Sequence, residues 1–154
     1  KPETYQPMKL SAETHQRVEA FFRRHTNDPG LTLPPIQIHG GRFADLLTRL
    51  IGISGITFGR HVFVRSRLVG RDAGGRATVS GWLMVHEAAH VLQYERSGYP
   101  RFFRTYLRGY WGALREGGRW DRAGRNAAYL AIAEEREARA AELAYLTERG
   151  RGRE

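Results

Sequence analysis

Two histidines and a glutamate give the strongest chemical signal in the sequence, in the run His86-Glu87-Ala88-Ala89-His90. On an α-helix, residues four apart lie one turn apart on the same face, so the imidazoles of His86 and His90 can converge on one metal ion. Glu87 can lean over that ion without binding it and take a proton from a zinc-bound water, whose pKa falls from about 16 to about 7. The spacing therefore predicts a zinc site at which Glu87 is the general base.

The surroundings of this motif favour a buried metal site. Apolar residues flank it on both sides: Leu83, Met84, Val91 and Leu92. Polar side chains beside a core need partners, and a metal ion supplies them. The chain has no cysteine, so the ligands must be histidines and carboxylates. The alternative is a solvent-facing helical turn on which Glu87 pairs with an arginine.

A catalytic zinc needs a third protein ligand and leaves its fourth position to water. The extended motif of the metzincins would place a glycine and a histidine where this chain has Gln93 and Arg96, which excludes that ligand. The remaining source is a carboxylate on a distant helix. Asp121 is a weak candidate for it.

Three glutamates of a later charged segment are the better candidates, namely Glu134, Glu135 and Glu137. We prefer Glu135, because Ala131, Ala138 and Glu142 share its helical face and the small alanines permit close approach to the motif helix. The other two glutamates stay open as ligands. All three could also belong to a solvated face with pairs four residues apart.

A peptidase would also need a group that stabilises the oxyanion of the tetrahedral intermediate. We assign that catalytic role to His61, with four further candidates left open: Arg60, Tyr94, Tyr106 and Tyr129. An aromatic stripe between Phe102 and Trp111 recurs at helical spacing and predicts a helix packed in the core.

The spacing of apolar residues and turn formers predicts an α+β fold that is mostly helical. The predicted elements are helix 11–25 capped by Ser11, strand 36–39, helix 43–50, strand 56–65, a helix that is capped by Thr78 or Ser80 and runs to about residue 96, helix 102–114 and helix 123–148. A single domain is expected over residues 11–148, with an N-terminal extension at 1–10 and a basic tail at 149–154.

Composition limits which classes of binding partner and which cellular locations are expected. The net charge of +9 is compatible with nucleic acid, but the arginines are scattered, so a nucleic-acid partner is not expected. No apolar run is long enough to span a membrane. We therefore expect a soluble protein. Residues 1–10 contain no stretch typical of a signal peptide, but the sequence begins at Lys1 rather than at a methionine. The compartment, cytoplasmic or secreted, therefore stays open.

The chain resembles the gluzincins in its motif helix and in the later run Glu135-Arg136-Glu137-Ala138. It resembles still more a bacterial family of presumed peptidases found near extracellular contractile injection systems. That likeness also rests on Leu10-Ser11, on residues 36–39 and 46–50, and on the run from Ile56 to Phe63. It extends over most of residues 10–141.

This resemblance implies a minimal zincin-like fold with a small sheet over the motif helix, and a strand edge above the zinc that can pair with a peptide. It carries the metal ligands to His86, His90 and Glu135 and the base to Glu87. Gluzincins commonly have an acidic residue one turn past the third ligand to support a histidine. Arg139 stands there in this chain, so another group must orient the ring.

Two functions are compatible with the sequence. The first is a zinc-dependent endopeptidase acting on a peptide or protein. The second is a catalytically weak or inactive zincin-like module whose basic surface recruits a protein or nucleic-acid partner. The sequence leaves the substrate and the oligomeric state undetermined.

Overall fold

A computed structural model describes residues 6–152, except for the side chain of Ile51. The first five residues of the expected extension and the last two of the expected tail lie outside this range. The helices are α1 (Ala12–His25), α2 (Gly41–Ile51), α3 (Gly81–Ser97), α4 (Tyr99–Gly117), α5 (Arg122–Ala131) and α6 (Ala133–Arg151), with a 3-10 turn at Ser66–Leu68. The strands are β1 (Met8–Lys9), β2 (Gln37–His39), β3 (Gly55–Phe58), β4 (His61–Val64), β5 (Val69–Arg71) and β6 (Ala77–Val79). The expected mostly helical α+β fold is confirmed.

Four of the strands form one mixed sheet in the order β1-β2-β4-β3. The central pair β2 and β4 is parallel, and both outer pairs are antiparallel. Strand β3 is therefore an edge strand within the described chain. Strand β1 brings Met8 and Lys9, from the expected N-terminal extension, into this sheet.

The single strand expected over residues 56–65 is wrong: the segment forms the hairpin β3–β4. Gly59 and Arg60 make the turn, and Gly59 has a φ of 62°, as a glycine has at the first central position of a type II′ turn. Alternation of apolar residues continues through so short a turn, which hides it in the sequence. A second hairpin, β5–β6, encloses the turn at residues 72–75.

Helix α3 runs through the centre of the core and carries the His-Glu-x-x-His motif. Met84, Val85, Ala88 and Val91 are fully buried on it. The sheet covers one side of α3, helix α6 packs along another, and α1 closes the core through Val18 and Phe21. Helix α1 begins as predicted, because the Ser11 hydroxyl accepts a hydrogen bond from the amide of Thr14.

The long helix expected over residues 123–148 is wrong as a single element, because it is broken at Ile132. That residue has an extended conformation (φ −60°, ψ 132°), and its side chain is fully buried. The break places Glu134 and Glu135 in the first turn of a new helix, where the helix dipole stabilises carboxylates. Helix α6 then runs to Arg151, into the segment predicted as a tail.

No helix within residues 6–152 combines the length and the apolar composition needed to span a membrane.

Candidate metal centre

His86, His90 and Glu135 meet at one point between α3 and α6. One ligand atom from each lies within 4.8 Å of the other two. Glu135 Oε2 is 3.3 Å from His86 Nε2, and Glu135 Oε1 is 3.2 Å from His90 Nε2. Two ligands of a tetrahedral zinc with bonds of about 2.0–2.1 Å stand about 3.3 Å apart, so these separations match a shared ion. This group could hold a metal ion.

The outer hydrogen bonds of both histidines aim their free nitrogens at the centre. His86 Nδ1 lies 3.0 Å from Glu142 Oε2, and His90 Nδ1 lies 2.8 Å from Gln93 Oε1. Both partners present acceptor oxygens, so each Nδ1 carries the proton and donates it. In its neutral form, which is the form that binds a metal, each ring turns the lone pair of Nε2 toward Glu135. Such outer-shell acceptors are typical of metal-binding histidines.

The orientation of the Gln93 amide is itself fixed by two further contacts. Its Nε2 donates to the backbone carbonyl of Glu134 at 3.0 Å and to Glu137 Oε2 at 3.1 Å. With the nitrogen directed toward α6, the oxygen must face His90. Gln93 therefore ties the position of one metal ligand to the start of α6, which carries another.

The cluster carries a buried polar atom that needs a partner. Glu135 is only 3% exposed, and no hydrogen-bond donor among the described residues satisfies its Oε2. A buried carboxylate oxygen left without a donor is costly. Two imidazole lone pairs and one carboxylate form a ligand set that zinc prefers. The residues present therefore fit a divalent cation.

The protein stabilises positive charge at this point. Burial lowers the pKa of His90, but the Glu135 carboxylate more than offsets this and the pKa rises to about 9. Burial raises the pKa of Glu135, yet the two imidazoles outweigh it and the net pKa lies well below its ordinary range. A site that attracts protons in this way also attracts a metal cation, which would displace them.

Glu87 lies beside the three candidate ligands, and a residue of the sheet holds its carboxylate in place. Its Oε2 accepts a hydrogen bond of 2.7 Å from the hydroxyl of Thr57 on β3. Burial raises the pKa of Glu87, and the positive charge of His90 and His86 offsets only part of that rise. Gly55 leaves the room that the carboxylate occupies, since a Cβ there would stand 2.6 Å from Glu87 Oε1.

The other acidic candidates lie elsewhere. Glu134 contributes only its backbone carbonyl, to Gln93. The carboxylate of Glu137 is half exposed and pairs with Arg96 at 3.2 Å. Asp121 caps α5 and pairs with Arg119 at the surface. Of the predicted carboxylates, the structure brings Glu135 to the two histidines.

His61, chosen from the sequence as the oxyanion-stabilising residue, does not reach the centre. It is exposed on β4, its Nδ1 lies 2.9 Å from His39 Nε2, and it is not among the described residues that line the cleft above the cluster. The physical reason is the turn at Gly59: residues on β4 are one strand further from α3 than residues on β3. Arg60 also points away, pairing with Glu95.

Tyr106 and Tyr129 are the tyrosines nearest to the cluster. The hydroxyl of Tyr106 donates to Glu135 Oε1 at 2.9 Å. Burial raises the pKa of Tyr129, and the nearby Glu135 carboxylate raises it further, so both phenols stay protonated at neutral pH. Tyr94 is directed to the sheet, where its hydroxyl meets the carbonyl of Thr57 at 3.3 Å.

A cleft of about 1350 Å³ opens onto the metal centre. The motif residues and Glu135 form its floor, β3 forms one wall, and α4 and α5 form the other. The aromatic stripe of α4 belongs to this wall, so its prediction as core is wrong. Leu107 is 52% exposed, and only Phe102 and Leu114 of α4 are buried.

The wall formed by β3 has backbone groups that do not pair with β4. The amide of Arg65 donates to the carbonyl of Ser54, which sets the alternation of hydrogen bonds between β3 and β4. By that alternation, the backbone amides and carbonyls of Gly55 and Thr57 face away from β4. Both residues line the cleft.

The chain matches a known protein family. The sequence pattern of the eCIS core domain matches residues 9–98. The chain belongs to the eCIS core domain family. The likeness to an injection-system-associated family, noted from the sequence, is thereby confirmed, and the chain is an injection-system-associated module. No curated protein and no solved structure is similar enough to the chain to count as a match.

The matched region of the eCIS core domain contains the sheet, both histidines and Glu87, whereas Glu135 lies beyond it. Glu142 and Thr57 are site residues that the sequence reasoning did not identify. From the sequence, Glu142 was placed on the same helical face as Glu135, seven residues later, but was given no role. Thr57 offered none, because nothing in its local sequence shows that it meets α3.

Proposed function

We propose that this eCIS core domain is a zinc-dependent metallopeptidase of the His-Glu-x-x-His type. The observation that carries the proposal is the convergence of His86, His90 and Glu135 within 4.8 Å, beside the carboxylate of Glu87, which is not one of the three. The ligand set of two histidines and a glutamate with an open position is that of catalytic zinc sites. Structural zinc sites use four protein ligands, and the described residues provide a group of three.

Glu87 is the residue that moves protons in this proposal. Bound zinc supplies Lewis acidity, which polarises a peptide carbonyl and acidifies water. Glu87 accepts the proton of the attacking water and delivers it to the departing amine, as a general base and then a general acid. Its burial and the hydrogen bond from Thr57 hold the carboxylate in one orientation for both transfers.

A substrate in extended conformation fits the cleft. The outward amides of Gly55 and Thr57 and the Gly55 carbonyl can pair with a peptide backbone as an additional strand. The Thr57 carbonyl, which accepts from the Tyr94 hydroxyl at 3.3 Å, has one lone pair left for such pairing. Such pairing would lay the peptide along β3, above the motif residues and between the sheet and α4. Tyr106 and Tyr129 are protonated donors on the opposite side, which makes them our candidates for stabilising an oxyanion.

The test combines metal analysis with activity in three matched variants. The purified protein is expected to bind about one zinc per chain and to cleave denatured protein substrates. Glu87→Gln should keep its zinc and lose cleavage, while Glu135→Ala should lose zinc. Glu134→Ala is the control, because that side chain lies outside the centre, and it should keep both. Cleavage by Glu87→Gln at the unaltered rate would refute the base assignment.

A binding module without catalysis is the second candidate. It is favoured by the family, whose description refers to an injection system, and by the net charge of +9. Binding of a partner through scattered basic residues would weaken steeply with salt. Zinc binding together with salt-dependent partner binding and no cleavage would support this candidate over the first.

A further inference from the structure

The charged residues that line the cleft outside the metal centre are all arginines. They are Arg49 at the end of α2 and Arg122 and Arg125 on α5. Of the described residues that line the cleft, only Glu87 and Glu135 carry carboxylates, and the proposed function assigns them to the general base and to the metal. Asp45 and Asp121, which interact electrostatically with Arg49 and Arg125, lie outside the lining, and Arg125 Nη1 donates to the Trp120 carbonyl at 2.7 Å. Among the described residues, no other carboxylate of the lining faces the three arginines.

Two of these arginines lie at defined separations from Tyr129 along α5. Arg122, Arg125 and Tyr129 lie on one face of α5 and line the cleft. Tyr129 is close enough to Glu135 for that carboxylate to raise the pKa of its phenol. At 1.5 Å per residue, Arg125 and Arg122 lie about 6 Å and about 10 Å along the helix from Tyr129. An extended peptide advances about 3.3 Å per residue, so these distances correspond to about two and three residues of substrate.

Apolar surface fills the remainder of the walls. Phe58 on β3 and Phe103 on α4 are partly exposed, with ring centroids 6.2 Å apart. Leu50 is 75% exposed and Leu107 is 52% exposed, both lining the same cleft. Exposed apolar residues that gather in a cleft rather than scatter over the surface indicate a site for apolar side chains.

We infer that the cleft selects peptides in which a bulky apolar residue sits at the metal centre and acidic residues follow two to three positions away. The inference rests on the proposed function, because it takes the metal centre as the point of cleavage. Carboxylates of the substrate pair with Arg122 and Arg125, and the apolar side chain packs against the walls from β3 and α4.

Binding can be measured without cleavage in the zinc-loaded Glu87→Gln protein. The probes are fluorescein-labelled peptides with a central Phe-Leu pair and two glutamates two and three residues away, and matched peptides with glutamines or lysines there. We expect the glutamate peptide to bind at least roughly tenfold more tightly than the glutamine peptide, and the lysine peptide to bind most weakly. Equal affinities for the three peptides would overturn the inference.

Charge reversal assigns the preference to particular residues. Arg122→Glu with Arg125→Glu should abolish the preference for glutamate or invert it toward lysine. Arg101→Glu with Arg104→Glu changes the net charge equally at exposed positions of α4 outside the cleft lining, and should retain the preference. An equal loss in both double variants would show a general charge effect and refute a role for the α5 arginines.

The two proposals fail in distinguishable ways. With the unaltered protein, cleavage sites mapped on a peptide mixture should show acidic residues two to three positions from the cut. Cleavage without any acidic preference would overturn the specificity and leave the peptidase intact. Selective binding of the glutamate peptide with no cleavage of any peptide would overturn the peptidase and leave the arginine-lined site intact.

Discussion

Glu142 Oε2 lies 3.0 Å from His86 Nδ1, across the interface between α6 and α3. A carboxylate in this position keeps the proton on Nδ1 and increases the basicity of the opposite nitrogen, which faces the metal centre. Glu142 thus does for His86 what the acidic residue one turn past the third ligand does in gluzincins. The helix that carries Glu135 also supplies this support, two turns further along.

Removal of Glu142 should weaken metal binding without unfolding the protein. We expect Glu142→Ala to lower zinc affinity by about 10–100-fold, and Glu142→Gln to lower it less, since an amide oxygen can still accept from Nδ1. Competition with a chromophoric chelator measures the affinity. Glu148→Ala, on the same helix and paired with Arg24 at the surface, is the control and should bind zinc normally.

Two substitutions at Gln93 should separate its roles. Gln93→Leu removes the acceptor for His90, so zinc affinity should fall by about 10–100-fold. Gln93→Glu keeps an acceptor oxygen for His90 but loses the donor to the Glu134 carbonyl and approaches the Glu137 carboxylate. Zinc affinity should therefore survive in Gln93→Glu while the melting temperature falls. Loss of zinc in both variants to the same degree would contradict this division.

The local sequence predicted the motif residues of the site better than it predicted the contacts from other elements that complete the site. His86, Glu87 and His90 are neighbours on one helix, so their arrangement follows from helical periodicity alone. Glu135 could be preferred because alanines share its face, but its distance from the histidines depends on packing of α6 against α3. The supports from Thr57 and Glu142 are contacts between elements distant in sequence, which local patterns do not encode.

The fold shows the same division. Helices with a cap and an apolar face, such as Ala12–His25, agree with prediction to within a residue or two. The break at Ile132 was missed because no proline or glycine marks it, and a buried isoleucine in an extended conformation is a requirement of packing. The apolar face of α4 was predicted as core because periodicity does not distinguish a core from the wall of a cleft.

Tyr106 should affect catalysis, whereas His61 should not. Tyr106→Phe removes the donor to Glu135 Oε1, and we expect cleavage to fall about tenfold or more with the protein still folded. His61→Ala should leave cleavage unchanged, because that ring contacts His39 outside the described cleft lining. Rates at saturating and at low substrate distinguish the two outcomes. A large loss in His61→Ala would restore the original assignment of the oxyanion role.

Asp45 should make stability depend on pH in the acid range. Its carboxylate accepts from the Ser66 amide at 2.7 Å and from the Ser66 hydroxyl at 2.8 Å, and these hydrogen bonds lower the pKa of Asp45. The pKa in the unfolded chain is about 3.9. The stabilisation is therefore complete above that value and is lost as the pH falls through the lower folded-state pKa.

Asp45→Asn measures this contribution directly. At neutral pH we expect the variant to be less stable than the unaltered protein by about 1 kcal/mol in urea unfolding. The difference should shrink below about pH 4, where the carboxylate becomes protonated. Ser66→Ala removes one donor of the same pair, and in that background the effect of Asp45→Asn should be smaller. A difference that is constant from neutral to acid pH would contradict the assignment.

Gly55 should be required for the position of the general base. A methyl group at this residue would stand 2.6 Å from Glu87 Oε1, closer than any real contact, so Gly55→Ala must displace the Glu87 carboxylate or the edge of β3. Neither displacement touches the three ligands, and zinc content should stay at the level of the unaltered protein. Cleavage should fall at least about tenfold, because a shift of about 1 Å at a catalytic group costs about that much or more.

Gly112→Ala, where a Cβ meets no described atom within 4 Å, is the matched control and should retain full activity. Unchanged cleavage in Gly55→Ala would show that Glu87 does not need the position in which the structure holds it, and would remove it as the base.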